Sequence, residues 1–339
     1  MPDQPVPLAV VTRSGMVEST HYGDGAVTDS SGRLVAHVGD PQKKCYLRSS
    51  AKPLQALVVI TSQAAANFAL TDKELAICCA SHSGSAEHLQ TVRGILDKIG
   101  MSEDALECGA HMPGDADERK RLIRSGQEPG PIHNNCSGKH AGMLSAARAM
   151  DIDPDGYSQP NHIIQQAALQ IVADVCDMAP GDIDQGVDGC GVVTFGMPLH
   201  NAATGYARFT TPETLPEKYQ EGARRLAGAM AQFPVMVSGQ GSFNTRLLEV
   251  CGQSLIVKGG AEGLYCLGIR GGDRGIAVKA SDGSGRGLPP ALLSMLDTLN
   301  MIEADDLEEL SEFAKPAVTN AHNDTVGEIR AALRLTRDG

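Results

Sequence analysis

Leu47-Arg48-Ser49-Ser50-Ala51-Lys52-Pro53-Leu54 sets a serine and a lysine three positions apart at the predicted start of a helix, so that both side chains share one face. Serine is a poor nucleophile until a base takes its proton. Lysine becomes that base only when burial or a nearby positive charge destabilises its ammonium. A helix N-terminus supplies such positive potential, and its free N–H groups can hold the oxyanion that forms when an amide carbonyl is attacked. A four-residue pattern with two common residues recurs by chance, so the remainder of the chain has to support the reading.

Two further segments do so. Ser81-His82-Ser83-Gly84 follows a predicted helix ending at Cys79, and Val257-Lys258-Gly259-Gly260 places a lysine at the end of an apolar strand, before two glycines. An S-x-x-K helix, a serine loop and a lysine-glycine strand, in that order, resemble the three elements that converge on the pocket of penicillin-recognising serine hydrolases. In such an arrangement the glycines let a substrate backbone approach the strand. The alternative for Lys258 is an ordinary solvated lysine at a strand end.

Short apolar runs read as strands at Leu8 to Val11, Leu34 to Val38, Gly191 to Phe195, Leu255 to Val257 and Gly275 to Val278. Predicted helices run from Lys52 to Ala66, Asp72 to Cys79, Ala86 to Ile99, Lys139 to Ala149, Asn161 to Val175, Pro216 to Met230 and Pro290 to Leu299. Thr71 and Ser85 sit as N-caps, with Glu74 completing a capping box only for Thr71, and Gly100 stops the helix before it. These elements do not alternate regularly, which argues against a doubly wound parallel sheet. The expected fold class is mixed α/β (α+β), an antiparallel sheet flanked by helices. It forms one integrated domain over 1–339, with room for two lobes. No G-x-G-x-x-G or P-loop lies between a strand and a helix, so a nucleotide has no evident seat.

The 339 residues, 42% hydrophobic, suffice for a large core. A net charge of −12, spread along the chain, disfavours nucleic acid and anionic lipid as partners. Met1 to Val11 lacks the features of a secretory signal, and no apolar stretch reaches the roughly 20 residues of a membrane span, so a cytoplasmic protein is expected. Nine cysteines are then expected as reduced thiols. Cys78, Cys79, Cys176 and Cys266 read as small buried hydrophobes. Cys136, in His133-Asn-Asn-Cys-Ser-Gly-Lys-His140, and Cys190, in Asp188-Gly-Cys-Gly191, keep more polar company. A thiolate pair with a nitrogen donor suits zinc, although the C-x-x-C spacing of a zinc ribbon is absent. Two buried thiols touching a pocket wall are the competing explanation.

Together, Arg48-Ser-Ser-Ala-Lys-Pro53, Ala80-Ser-His-Ser-Gly84, Asn135-Cys-Ser-Gly-Lys-His-Ala-Gly-Met143, Asp188-Gly-Cys-Gly-Val192 and Lys258-Gly-Gly-Ala-Glu-Gly263 resemble the rhizobial-type L-asparaginases, the class 3 or asparaginase II family. The resemblance spans roughly residues 8 to 335. It implies a homodimeric amidohydrolase with a fold similar to serine beta-lactamases, DD-peptidases and glutaminases, converting L-asparagine to L-aspartate and ammonia. Carried over by motif, it also implies two catalytic pairs, Ser49 with Lys52 and Ser81 with Lys258, and a supporting zinc ion held by Cys136, Lys139 and Cys190. Ser238-Gly-Gln-Gly-Ser-Phe-Asn-Thr-Arg246 departs from the family's Arg-Phe-x-Thr core, so no contact is carried over from Ser242 to Arg246.

On this reading Ser49, activated by Lys52, attacks the amide while Ser81 and Lys258 relay a proton, with Ser81 as the alternative nucleophile. Arg48 and His140 would hold the substrate carboxylate and Asp188 its ammonium. The rival functions are another serine-type amidohydrolase, glutaminase or peptidase-like, and a zinc or thiol sensor without turnover.

Overall fold

The computed structural model describes residues 5–337. Residues 1–4 of the stretch read for a leader, and 338–339 of the expected domain, lie outside them. A two-residue turn at Ser14 and Gly15, both at positive φ (49° and 85°), joins β1 (Val6–Arg13) to β2 (Met16–Thr28). Such a turn matches the right-handed twist of a hairpin. The remaining strands are β3 (Leu34–Val38), β4 (Lys44–Tyr46), β5 (Asp184–Val187), β6 (Val193–Pro198), β7 (Leu255–Gly260), β8 (Leu264–Ile269), β9 (Arg274–Ala280), β10 (Ala317–Thr319), β11 (Thr325–Ala331) and β12 (Thr336–Arg337). The main sheet runs β10-β11-β1-β2-β9-β8-β7, with β3 on the far half of β2 and β12 on β3, and β4-β6-β5 form a smaller sheet. Every strand pairing among the described residues is antiparallel. The mixed fold with an antiparallel sheet and flanking helices is therefore as expected from the sequence.

The helix Leu199–Thr210, which periodicity did not reveal, lies across β2, β8 and β9. His200, Asn201, Thr204 and Gly205 give it low intrinsic propensity. Its buried face, Leu199, Ala203, Tyr206 and Phe209, holds it instead, each large apolar side chain contributing about 1.5–3 kcal/mol. Close approach requires Gly275 on β9, where a Cβ would collide with Ala203 O and sit 2.6 Å from Ala207 N. The helix Leu288–Thr298 covers β1 and β11 elsewhere on the sheet.

Three expectations change. The segment from Lys52 to Ala66 is not one helix: a 3-10 turn (Arg48–Ala51) leads into the short helices Lys52–Gln55, Leu57–Thr61 and Ala64–Asn67, and the left-handed Gln63 (φ 65°) ends the continuity. The Ser85 cap is also a full capping box, because His88 Nδ1 accepts from Ser85 N at 3.2 Å in place of a Glu or Gln. Strands β2, β4, β5, β8 and β10 to β12 had no counterpart in the apolar runs. No helix among the described residues is long and apolar enough to cross a membrane.

Gly275→Val should destabilise the fold by at least about 3 kcal/mol, because two backbone elements rather than a flexible side chain would have to part. Urea unfolding monitored by circular dichroism measures it.

Candidate active site

Three elements meet at the free edge of β7. The Arg48–Ala51 turn follows β4, the Ser81 loop follows the helix Asp72–Cys78, and Lys258 lies on β7 itself. Ser50, fully buried, joins the first to the third: its Oγ donates to Lys258 O at 3.0 Å, and its carbonyl accepts from Tyr206 Oη at 2.7 Å. Gly260 permits this contact, since a Cβ there would lie 2.6 Å from Leu47 O and 2.9 Å from Ser50 Oγ. The strand glycine at 260 thus admits the chain's own S-x-x-K turn, where a substrate backbone was expected. Arg48 itself is left-handed (φ 48°), a conformation costing about 1–3 kcal/mol that must be imposed from outside. Arg48 N donates to Thr194 Oγ1 at 3.2 Å, and its Nε donates to Asp188 Oδ1 at 2.7 Å.

Lys52 and Lys258 are both 0% exposed, and both reach the same hydroxyl. Lys52 Nζ donates to Ser81 Oγ at 2.9 Å and to Ala80 O at 2.6 Å. Lys258 Nζ donates to Ser81 Oγ at 3.0 Å and to Gly259 O at 2.8 Å. Burial first, then the Lys52 charge, lowers the Lys258 pKa from 10.5 to about 7. The helix dipole invoked from sequence has little to act through, because the helix that follows is only one turn long. The N–H groups at the start of this segment are already used, Ser50 N in the 3-10 turn by Leu47 O and Lys52 N at the helix start by Ser49 O. Ser81 N is likewise taken, by Val237 O at 2.9 Å.

Ser49 and Ser81, both half-buried, line a pocket of about 280 Å³ together with Lys258, Asn135, Asn244 and Tyr265. A larger groove of about 530 Å³ beside Tyr219 has neither serine nor cysteine among its lining residues. Sequence reasoning missed Asn244 and Tyr265. Asn244 fell inside the segment that departs from the family pattern, and Tyr265 lies on the unpredicted strand β8. Arg48, Asp188 and His140 are not among the lining residues. Arg48 and Asp188 are joined as an ion pair, and His140 is fully buried. Tyr157 Oη accepts from Glu107 N at 3.0 Å and lies 2.6 Å from His140 Nδ1, while His140 Nε2 has no hydrogen-bond partner among the described residues. Burial, then Lys139 and Lys52, hold the His140 imidazole neutral.

Beside these groups, Cys136, Lys139 and Cys190 converge. Lys139 Nζ donates to Cys190 Sγ at 3.0 Å, and all three residues are at most 5% exposed. The Cys190 hydrogen bond, with Lys52 and Lys139 nearby, pulls the Cys136 thiol well below its ordinary pKa, and burial together with that thiolate pushes Cys190 up. Burial opposes the Lys139 ammonium, but the two sulfurs prevail and raise its pKa. Two sulfurs and an amine are a donor set that suits zinc, so the residues present fit the ion. Among the described residues no three His, Cys, Asp or Glu side chains form a ligand group, so binding would require Lys139 as the third ligand, in its neutral form. All nine cysteines are free, and Cys78, Cys79, Cys176 and Cys266 are buried core residues as expected.

Among solved structures, Mglu in its native form is similar at 14% identity with a TM-score of 0.46, over 84% of this chain and 66% of that one. A beta-lactamase from Mycobacterium bovis is similar at 15% identity with a TM-score of 0.40, over 86% and 95%. The chain thus spans just under two thirds of the length of Mglu. No curated protein matches. The profile of the L-asparaginase II family matches residues 9–331, a span holding every side chain of the site just described, and the chain belongs to that family of amidohydrolases.

Proposed function

We propose that this chain hydrolyses the side-chain amide of free L-asparagine to L-aspartate and ammonia through a serine activated by buried lysine. The observation that supports it is the convergence of Lys52 and Lys258 on Ser81 Oγ at the wall of a pocket sized for a small molecule. These contacts favour Ser81 as nucleophile over the Ser49 and Lys52 pairing drawn from the motif. Lys258, whose pKa burial lowers to about 7, accepts the Ser81 proton as Oγ attacks the amide carbon. The Lys52 N–H aimed at Oγ stabilises the developing alkoxide. Lys258 then returns the proton to the leaving nitrogen, ammonia departs as the C–N bond breaks, and water cleaves the ester, restoring the Ser81 hydroxyl. Ser49, which lines the same pocket, would serve the carbonyl oxygen or the second proton transfer. General-base catalysis of this kind contributes about 10² to 10⁴ in rate.

The Arg48 and Asp188 pair, which lies outside the pocket lining, would meet the carboxylate and ammonium of an amino acid that reaches and bridges it. Glutamine is longer by one methylene, a difference a pocket resolves by about 1–3 kcal/mol, so glutaminase turnover should be weaker rather than absent. Zinc held by Cys136, Lys139 and Cys190 would supply a fixed positive charge that orders the pocket wall. Homodimeric assembly and a cytoplasmic setting belong to the same proposal.

Purified protein should release ammonia from L-asparagine, and Ser81→Ala should lower kcat by at least about 10³-fold. A larger loss in Ser49→Ala than in Ser81→Ala would restore Ser49 as nucleophile, and no release by the folded wild type would sink the proposal. Because the lowered Lys258 pKa makes the base available only above it, kcat/KM should rise about tenfold per pH unit below pH 7 and level off above. An acid limb centred near 5 would point to a carboxylate instead. Chelation should lower the thermal midpoint while reducing kcat by no more than about 100-fold, checked by activity, metal content and scanning calorimetry on one sample.

A further inference from the structure

The segment Pro234–Thr245 touches both halves of the proposed catalytic pair. From one end, Val237 O accepts from Ser81 N at 2.9 Å. At the other end, Asn244 Oδ1 accepts from Gly259 N at 3.1 Å. Thr245 Oγ1 closes the segment on itself by donating to Gly239 O at 2.7 Å, and Gly239 (φ 103°) packs where a Cβ would lie 2.6 Å from Ser83 Oγ. The Ser81 loop and Lys258 are thus braced by one short stretch of chain.

The contact with Gly259 has a clear physical basis. Among the described residues, strand β7 ends the sheet and pairs only with β8. In a strand the N–H and C=O of one residue leave on the same side, so an edge strand presents alternate residues with both groups unpaired. Gly259 is such a residue, and its two groups are satisfied by side chains. Asn244 takes the N–H, and Lys258 Nζ donates to the C=O at 2.8 Å. The acceptor that Gly259 N requires fixes the orientation of the amide, leaving Nδ2 to donate to Ser238 Oγ at 3.3 Å. Asn244 is 7% exposed, so neither bond is readily replaced by water.

We propose that Asn244 is a positioning residue for the reaction, standing in for the missing neighbour strand at Gly259 and so fixing the carbonyl that aims the Lys258 amine at Ser81. This rests on the reading of Ser81 and Lys258 as nucleophile and base. Asn244 touches the pocket and each of its polar atoms makes one bond to protein, so the split between kcat and KM separates this role from a substrate contact.

The test compares wild type, Asn244→Ala and Asn244→Asp in three measurements: L-asparagine kinetics across pH, the pH-dependent rate at which phenylmethanesulfonyl fluoride sulfonylates Ser81, and hydrogen exchange of the 255–262 segment. Asn244→Ala should lower kcat about 10- to 100-fold with KM within about threefold, slow sulfonylation in parallel and speed exchange at Gly259. Asn244→Asp keeps the acceptor and adds a negative charge near Lys258, so it should recover most of the rate at high pH, with the acid limb of both reactions moved upward. A raised KM with unchanged kcat in Asn244→Ala would make Asn244 a substrate contact and overturn the proposal, as would sulfonylation equal to wild type. Sulfonylation that follows Asn244 in a wild type inert to L-asparagine would defeat the substrate assignment and leave the positioning role standing. A wild-type Ser81 that does not react with the sulfonyl fluoride would overturn both.

Discussion

Everything around the pocket follows from placing two lysine side chains, fully buried, on a single serine hydroxyl. Removing an ammonium from water costs several kcal/mol even after relaxation, and a second one nearby adds repulsion. The fold answers with acceptors and with proton loss. Ala80 O and Gly259 O each take one Nζ, and Lys258 gives up its charge near neutrality. A hydroxyl has one proton and two lone pairs. Between two full ammonium groups Ser81 could only accept, whereas with Lys258 neutral it can donate to one amine while accepting from the other. The hydrogen-bond geometry that lowers the cost of burial is also the one that the proposed activation of Ser81 requires.

The sulfur cluster belongs to the same electrostatic unit. The Cys136 thiolate is favoured by Cys190 and by Lys52 and Lys139, and in turn it opposes the lowering of Lys258. Lys139 faces both sulfurs from the first turn of the helix Ser137–Ala149. His82, kept neutral chiefly by burial, bonds Ser137 Oγ at 2.9 Å and thereby ties the Ser81 loop to that helix. A change in charge at Cys136 is therefore felt at Lys258.

The sequence disclosed the candidate residues better than the scaffolding. Ser49, Lys52, Ser81 and Lys258 lie in motifs with distinctive neighbours, so their types and order could be read. Of the two pairings drawn from the motifs, Ser81 with Lys258 is in hydrogen-bond contact, while Lys52 also reaches Ser81, which S-x-x-K spacing does not reveal because it describes one helix face and Ser49 sits instead in a 3-10 turn. Strands such as Leu34–Val38 and Leu255–Gly260 were legible as apolar runs. In contrast, Met16–Thr28 carries Glu18, Ser19, His21 and Asp24, and the helix Leu199–Thr210 is poor in helix formers. Both elements take their form from tertiary contacts that local pattern does not encode.

Asn244 shows why a site on a sheet edge is harder to read than one in a loop. An interior strand satisfies its backbone with neighbours that repeat along the chain, so its requirements are generic. An edge strand needs particular side chains at particular residues, and the residue that meets the need can come from any element packed against it. Here it comes from the helix Phe243–Cys251, whose start is fixed by the Ser242 cap on Thr245 N. The cap sets the helix phase, the phase turns Asn244 toward Gly259, and Gly259 holds the lysine. Placing Lys258 on the last strand of the sheet frees its amine to face the pocket, and it also makes the position of that amine depend on a residue 14 positions earlier that carries no charge and performs no chemistry.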